Sequence, residues 1–326
     1  MPTTKDELRV QAGKQSSFGT GVTPTVALRG VTAFKVAPDQ DNRVLNDMQL
    51  SMAGGDTAVI ASNGGGGSME GWASYEDIPY ILDGLMGEAT PSGGGPYTRS
   101  YAAPVTPSGI VAPRMSSFVH GDATVGAYAL VGGIPSELTL KMTPKSEITY
   151  TAPLIGAGTA VDALETLTTR AVTPIMASDV STMFLDAWAG TMGATALTKC
   201  YLRSLELNVK NNRKLRYCVG SLAASDHITE PWMGTLSLLL EWNSTSKAII
   251  DEMVGGTAAK RQFQCTWANG TQSLKLQFCG VVKGKPEIFD DDDGVVSVRF
   301  EMERLYHGTF ANWLKFVSIN SVATLA

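Results

Sequence analysis

Two stretches decide the fold: SMEGWASYEDIPYILDGLMG at residues 68–87 and TLSLLLEWNSTSKAIIDEMVG at residues 235–255. Each opens on a run that alternates in strand fashion, 68–75 and 235–242, and then changes period. In the first, Ile78, Ile81, Leu82, Leu85 and Met86 fall at i, i+3, i+4, i+7 and i+8, one apolar stripe of a helix. Glu76 and Asp77 are placed in its first turn, where the helix dipole favours negative charge, Pro79 lies close enough to the start to be tolerated, and Gly87 suits the C′ position. In the second, residues 245–254 read as a short helix with Ser244 as N-cap and Gly255-Gly256 as its stop. An offset of 168 sets Ile81 on Ile249, Asp83 on Asp251 and Gly87 on Gly255. The order of elements, more than the identities, predicts a tandem duplication.

Outward from these stretches the chain reads as short β-runs. Before the first lie a strand at 27–36, a turn at 38–42, a run at 43–52 and a long loop ending in Gly64–Gly67, taken as a flexible joint. After it come runs at 97–101, 115–121, 127–132, 137–143 and 147–152. Residues 157–197 are Thr/Ala-rich and are expected to connect two domains, with a short helix at 181–189. Strands resume at 201–210 and 215–220, joined by the turn Asn211-Asn212-Arg213, and continue at 261–267, 273–281, 285–289 and 295–304. The expected organisation is an N-terminal arm (1–26), a first β domain (27–156), a connection (157–197), a second β domain (198–306) and a C-terminal arm (307–326). The fold class is mainly β, two tandem β-sandwich or half-barrel domains, each with one short flanking α-helix. Sheets of this size leave edges that must be closed, covered or paired with another chain.

Charged residues make up 17% of the 326, against roughly 25% in an average soluble domain. With 26 Lys and Arg against 31 Asp and Glu, the net charge is −5, which argues against a protein that grips nucleic acid by neutralising phosphates. No run of about 18 apolar residues predicts a membrane-spanning helix. Residues 1–15 have no apolar core of a secretory signal, and Cys200, Cys218, Cys265 and Cys279 show no C-x-x-C spacing, so folding in a reducing cytoplasm is expected. A low charge fraction without disorder suggests that much of the surface does not face water.

Catalytic patterns are missing. His120, His227 and His307 stand in different segments. The run Asp290-Asp291-Asp292-Asp293-Gly294 lacks the alternating ligands of a calcium loop and reads as a solvated hairpin tip. Gly64–Gly67 is followed by no Lys-Ser/Thr of a phosphate loop, and neither G-x-S-x-G nor H-E-x-x-H occurs. No enzyme activity, metal or cofactor is expected. Trp72, Tyr75, Trp232, Trp242 and Trp267 keep a rival reading open, a secreted-type β-sandwich binding module for carbohydrate or adhesion.

The segments GKQSSFGTGVTPTVALRGVT (13–32), GSMEGWASYEDIPYILDGLMG (67–87), PYTRSYAAP (96–104) and the hairpin FDDDDG (289–294) resemble the major tail tube proteins of long-tailed, siphovirus-type bacteriophages, in the form that carries two tube domains. The resemblance covers most of the chain and is one of pattern and order. It implies a structural virion protein, made in the host cytoplasm, that self-assembles into stacked rings around a channel for DNA. In such rings, strands of neighbouring subunits continue into one closed barrel. Two tube domains per chain imply trimers with pseudo-sixfold symmetry. Implied partners are further copies, the tail tip, tape-measure and tail terminator proteins, and viral DNA that passes without specific binding. A tube of a contractile tail or secretion machine is a related alternative. The arms and the loop at about 38–67 would reach neighbouring subunits or rings, which makes Phe18, Val22, Asp56, Val59, Ile60, Phe310, Trp313 and Phe316 the contact candidates. A conduit for DNA further predicts that Asp and Glu outnumber Lys and Arg on the channel wall.

Overall fold

The computed structural model describes residues 8–45 and 57–325. The chain runs β1 (Arg9–Lys14), β2 (Val26–Leu28), β3 (Val31–Leu45), β4 (Thr57–Trp72), α1 (Ile78–Met86), β5 (Tyr97–Ala102), β6 (Ser116–Asp122), β7 (Gly126–Pro135), β8 (Glu137–Met142), β9 (Thr149–Gly156), β10 (Gly158–Asp162), β11 (Val180–Ala187), β12 (Leu202–Lys210), β13 (Arg213–Arg216), β14 (Asp226–Thr229), β15 (Met233–Glu241), α2 (Ser244–Val254), β16 (Lys260–Asn269), β17 (Gln272–Asp292), β18 (Val295–Arg304) and β19 (Leu314–Asn320). The protein is mainly β, as its alternating runs require.

Eight strands lie side by side, all antiparallel, in the order β3–β4–β9–β8–β12–β15–β18–β17. A second row runs β11–β16–β17–β19–β5, and a third β2–β1–β6–β7–β10. The long β17 serves two rows: residues 273–278 lie between β16 and β19, and residues 280–292 pair with β18. Its pairing with β18 shifts between Lys283 and Glu287, where Gly284 supplies φ 76°.

The pairing pattern occurs twice. β1 lies on β6 as β11 lies on β16, and β10 on β7 as β19 on β17. The order β3–β4–β9–β8 matches β12–β15–β18–β17. Even the irregularities agree: β3 slips against β4 between Val31 and Ala33, and β12 slips against β15 between Leu202 and Ser204. Gly87 and Gly255 both cap their helices.

Alternation builds the core. Leu138, Leu140, Leu205, Leu207, Leu236, Leu238, Phe300 and Met302 turn one face of the eight-stranded row inward against Phe263, Trp267, Leu276, Phe278 and Phe316 of the second row, in one cluster. Each such side chain removed from water is worth roughly 1.5–3 kcal/mol before ordering costs. The indole N–H of Trp267 donates to Met142 Sδ across the layers at 3.2 Å.

Several local expectations are corrected. Residues 181–189 are not helical: β11 pairs with β16 and buries Met183 and Leu185, because an i, i+2 pair fits a sheet face and tertiary pairing overrides helix propensity. Gly64–Gly67 is no flexible joint but part of β4. A Cβ on Gly67 would stand 2.3 Å from the Lys35 carbonyl oxygen, and one on Gly65 2.7 Å from Leu130 Cδ1, so glycine here permits close packing. The segment read as an N-terminal arm contains β1, the connection contains β10 and β11, and the C-terminal arm contains β19, which joins β17 to β5. Strand 215–220 is replaced by a separate β13–β14 ribbon. Asn243, not Ser244, caps α2: its Oδ1 accepts from the amides of Thr245 and Ser246 at 2.8 and 3.2 Å.

Helix α1 is buried on every side rather than along one stripe. Asn211 and Arg213, just past β12, reach over it: Asn211 Nδ2 donates to the Leu85 and Pro135 carbonyls at 3.2 and 2.9 Å, and the Arg213 guanidinium to the Gly84 carbonyl at 2.6 Å. Burial lowers the Arg213 pKa to about 10. Glu76 and Asp77 lie just ahead of the helix and tie distant segments together, Glu76 accepting from the Thr173 amide at 2.8 Å, Asp77 accepting from the Arg29 amide at 2.9 Å and pairing with Arg170. Burial raises the Asp77 pKa, against the pull of Arg170.

Candidate assembly interface

The eight-stranded row ends in two open edges. Among the described residues β3 pairs only with β4, and residues 283–292 of β17 pair only with β18. Both edges are exposed: Lys35, Ala37 and Asp39 on one, Lys285, Glu287, Ile288 and Asp290 on the other. An uncovered edge of this length is a template for another strand.

One face of the row faces solvent and carries both signs of charge. Glu70, Glu137, Glu206, Glu287, Glu301 and Glu303 stand among Lys35, Lys141, Lys210, Lys283 and Arg299. Most of the bases are matched across strands: Lys141 to Glu206 at 3.3 Å, Lys210 to Glu137 at 3.1 Å, Lys283 to Glu303 at 2.8 Å and Arg299 to Glu287 at 3.8 Å. The hydrogen bond between Lys283 and Glu303 raises the pKa of the amine and lowers that of the carboxyl.

Beyond the row, β3 and β4 continue as a two-stranded ribbon, since β9 covers β4 only at residues 65–72. The segment expected as a loop at 38–67 is therefore hairpin up to Leu45 and from Thr57. Val44, Val59 and Ile60 are exposed on it. Its base is held by the Asn63 amide donating to the Leu222 carbonyl at 2.7 Å. A ribbon with exposed apolar side chains and little else against it is suited to lie on another subunit.

The remaining contact candidates separate. Phe18 is half-buried against the His227 ring at 5.6 Å. Val22 is half-buried, its amide donating to Ser117 Oγ at 3.0 Å. Phe310 is half-buried beneath Lys315 Nζ at 4.4 Å. Phe316 on β19 and Trp313 just before it lie inside the chain's own core, because β19 is held between β17 and β5 and is not a free arm. Asp56 lies outside the described residues. Val44, Ile288 and Phe289 are exposed as well and were not singled out from the sequence, which holds no local pattern that marks them.

Of the five aromatics that suggested a sugar face, Tyr75, Trp232 and Trp267 are buried, and Trp242 is half-buried beside Phe289 at 4.9 Å. Each histidine has a local partner: His120 Nδ1 is 3.1 Å from the Arg9 carbonyl, His227 lies beside Phe18, and His307 Nε2 is 2.8 Å from the Trp188 carbonyl. No group of three or more His, Cys, Asp or Glu among the described residues is placed to hold a metal.

A doubled β-wall with two open edges, a projecting ribbon and one hydrophilic face defines a structural building block. The family model for "Phage tail tube protein" matches residues 6–303, nearly the whole chain, and the chain belongs to that family. A search of curated proteins gives no match.

Proposed function

We propose that the chain assembles through its open edges into rings, that the rings stack, and that the stack is the channel through which phage DNA passes. The observation that supports this best is the continuous eight-stranded row, whose inner face is packed and whose two ends have no strand partner among the described residues. A head-to-tail contact that closes removes both edges at once. The duplicated pairing pattern favours two tube units per chain, 27–156 extended by β1 and β10 and 198–306 extended by β11 and β19, and hence three chains in a pseudo-sixfold ring.

In that ring the hydrophilic face is the channel wall. The acid excess expected there is slight, but cross-strand pairing of the bases serves the same end, because few cations are left to hold phosphate. The β3–β4 ribbon, with Val44, Val59 and Ile60, is the inter-ring contact, joined by Phe18, Val22 and Phe310 where they remain accessible. The ends of the stack meet the tail tip, tape-measure and terminator proteins of a siphovirus-type virion. Negative-stain microscopy of the purified chain tests the proposal: rings or tubes support it, and monodisperse single chains at high concentration refute it.

A further inference from the structure

The seam inside the chain specifies how two chains join. The equal slips in β3–β4 and β12–β15 match Val31 with Leu202, and so Lys35 with Glu206, Val36 with Leu207, Ala37 with Asn208 and Asp39 with Lys210. The pairs Thr139–Thr151 and Leu140–Tyr150 of β8–β9 match Glu287–Arg299 and Ile288–Val298 of β17–β18. Glu137 then matches Lys285, and past the slip after Ile288, Lys141 matches Asp290. Within the chain, β8 and β12 set Glu137 against Lys210, Leu140 against Leu207 and Lys141 against Glu206.

Resting on the ring reading above, we propose that β17 of one copy docks on β3 of a second copy in this same register, with Lys285 facing Asp39, Ile288 facing Val36 and Asp290 facing Lys35. Both ion pairs of the internal seam reappear with their signs exchanged. The exchange makes the seams exclusive. β8 placed on β3 would set Glu137 against Asp39 and Lys141 against Lys35, and β17 on β12 would set Lys285 against Lys210 and Asp290 against Glu206. Only alternation of internal and intermolecular seams avoids like charges.

Two further observations agree. Ile288 is 40% exposed where its counterpart Leu140 is 3% exposed, the difference a docked strand removes. A cleft of about 650 Å³ beside the start of β3 is lined by Arg9, Arg29, Lys35 and His120. Continuing the register past Asp290 brings the acidic tip at Asp291 and Asp293, both exposed, to that cleft.

The test uses the full chain with Cys200 and Cys218 changed to Ser, because both are exposed. Val36→Cys with Ile288→Cys should give, under mild oxidation, a ladder of disulfide-linked chains on non-reducing gels, while Val36→Cys with Glu287→Cys should not. Asp39→Lys should lower the ring yield by microscopy several-fold, and Asp39→Lys with Lys285→Asp should restore it. Rings that form while only the shifted cysteine pair cross-links overturn the register and leave the ring reading standing. An unchanged ring yield for Asp39→Lys also overturns the register. Absence of rings in the unaltered chain removes the ring reading and this proposal together.

Discussion

Lys210 Nζ stands 3.1 Å from Glu137 Oε2, on the solvent side of the seam where β12 meets β8. Three positions along the same seam, on its opposite face, Leu140 and Leu207 face each other, both buried. The seam thus has a polar side that specifies and an apolar side that stabilises. Leu207→Ala should cost about 2–5 kcal/mol, since it opens a cavity in a filled core. Lys210→Ala should cost under about 1 kcal/mol, since an exposed ion pair is screened by water. Thermal melts of both variants check this, and equal shifts would refute the division.

Asp83 lies on α1 beneath the Tyr101 hydroxyl, which donates to it at 2.8 Å, and burial raises its pKa from 3.8 to about 6. The folded protein therefore holds this proton more tightly than the unfolded chain. The corresponding stability is fully present below pH 3.8, declines as pH rises towards about 6 and is gone above it. Asp83→Asn keeps an oxygen for Tyr101 and removes the titration. Its midpoint relative to the unaltered protein should improve between pH 4 and pH 7, by denaturant titration at each pH. A difference independent of pH would refute the assignment.

Asn211 is fully buried and bonds to the Leu85 and Pro135 carbonyls while its own Oδ1 accepts from the Arg213 amide at 3.0 Å. Asn211→Ala leaves these groups without partners and should cost about 1–3 kcal/mol, read from the urea midpoint. An unchanged midpoint would mean that packing and the Arg213 bond to the Gly84 carbonyl hold the end of α1 without Asn211.

Cys265 and Cys279 are buried, and burial raises both thiol pKa values, that of Cys279 to about 12. Cys200 and Cys218 are exposed. A thiol reagent should therefore modify two cysteines in the folded single chain and four in denaturant, with the protected pair identified by mass spectrometry. Fast modification of Cys265 in the folded chain would contradict the packing of β16 on β11.

Much of this fold was legible in the sequence, because two helices with the same strand before them and the same glycine after them recur as the strand pairing does. The limits of the repeat were not. β1, β11 and β19 lie in segments without strong local period, and they are strands because β6, β16 and β17 supply partners distant in sequence. Trp313 and Phe316 were misplaced for the same reason: a terminal strand and a free arm look alike until the partner is known. Val59 and Ile60 were singled out as contact candidates and are exposed, whereas Lys285 and Asp39 became informative only beside Glu137 and Lys210. Charge exchange between seams is a property of register, and register is set by bulges that composition does not reveal.

The most direct measurement is an end-on cryo-microscopy average of the assembled protein. The account predicts a hollow ring of three chains with six similar lobes, its strands continuous from β17 of one chain into β3 of the next. A ring of six chains, or strands that stop at the chain boundary, would contradict it.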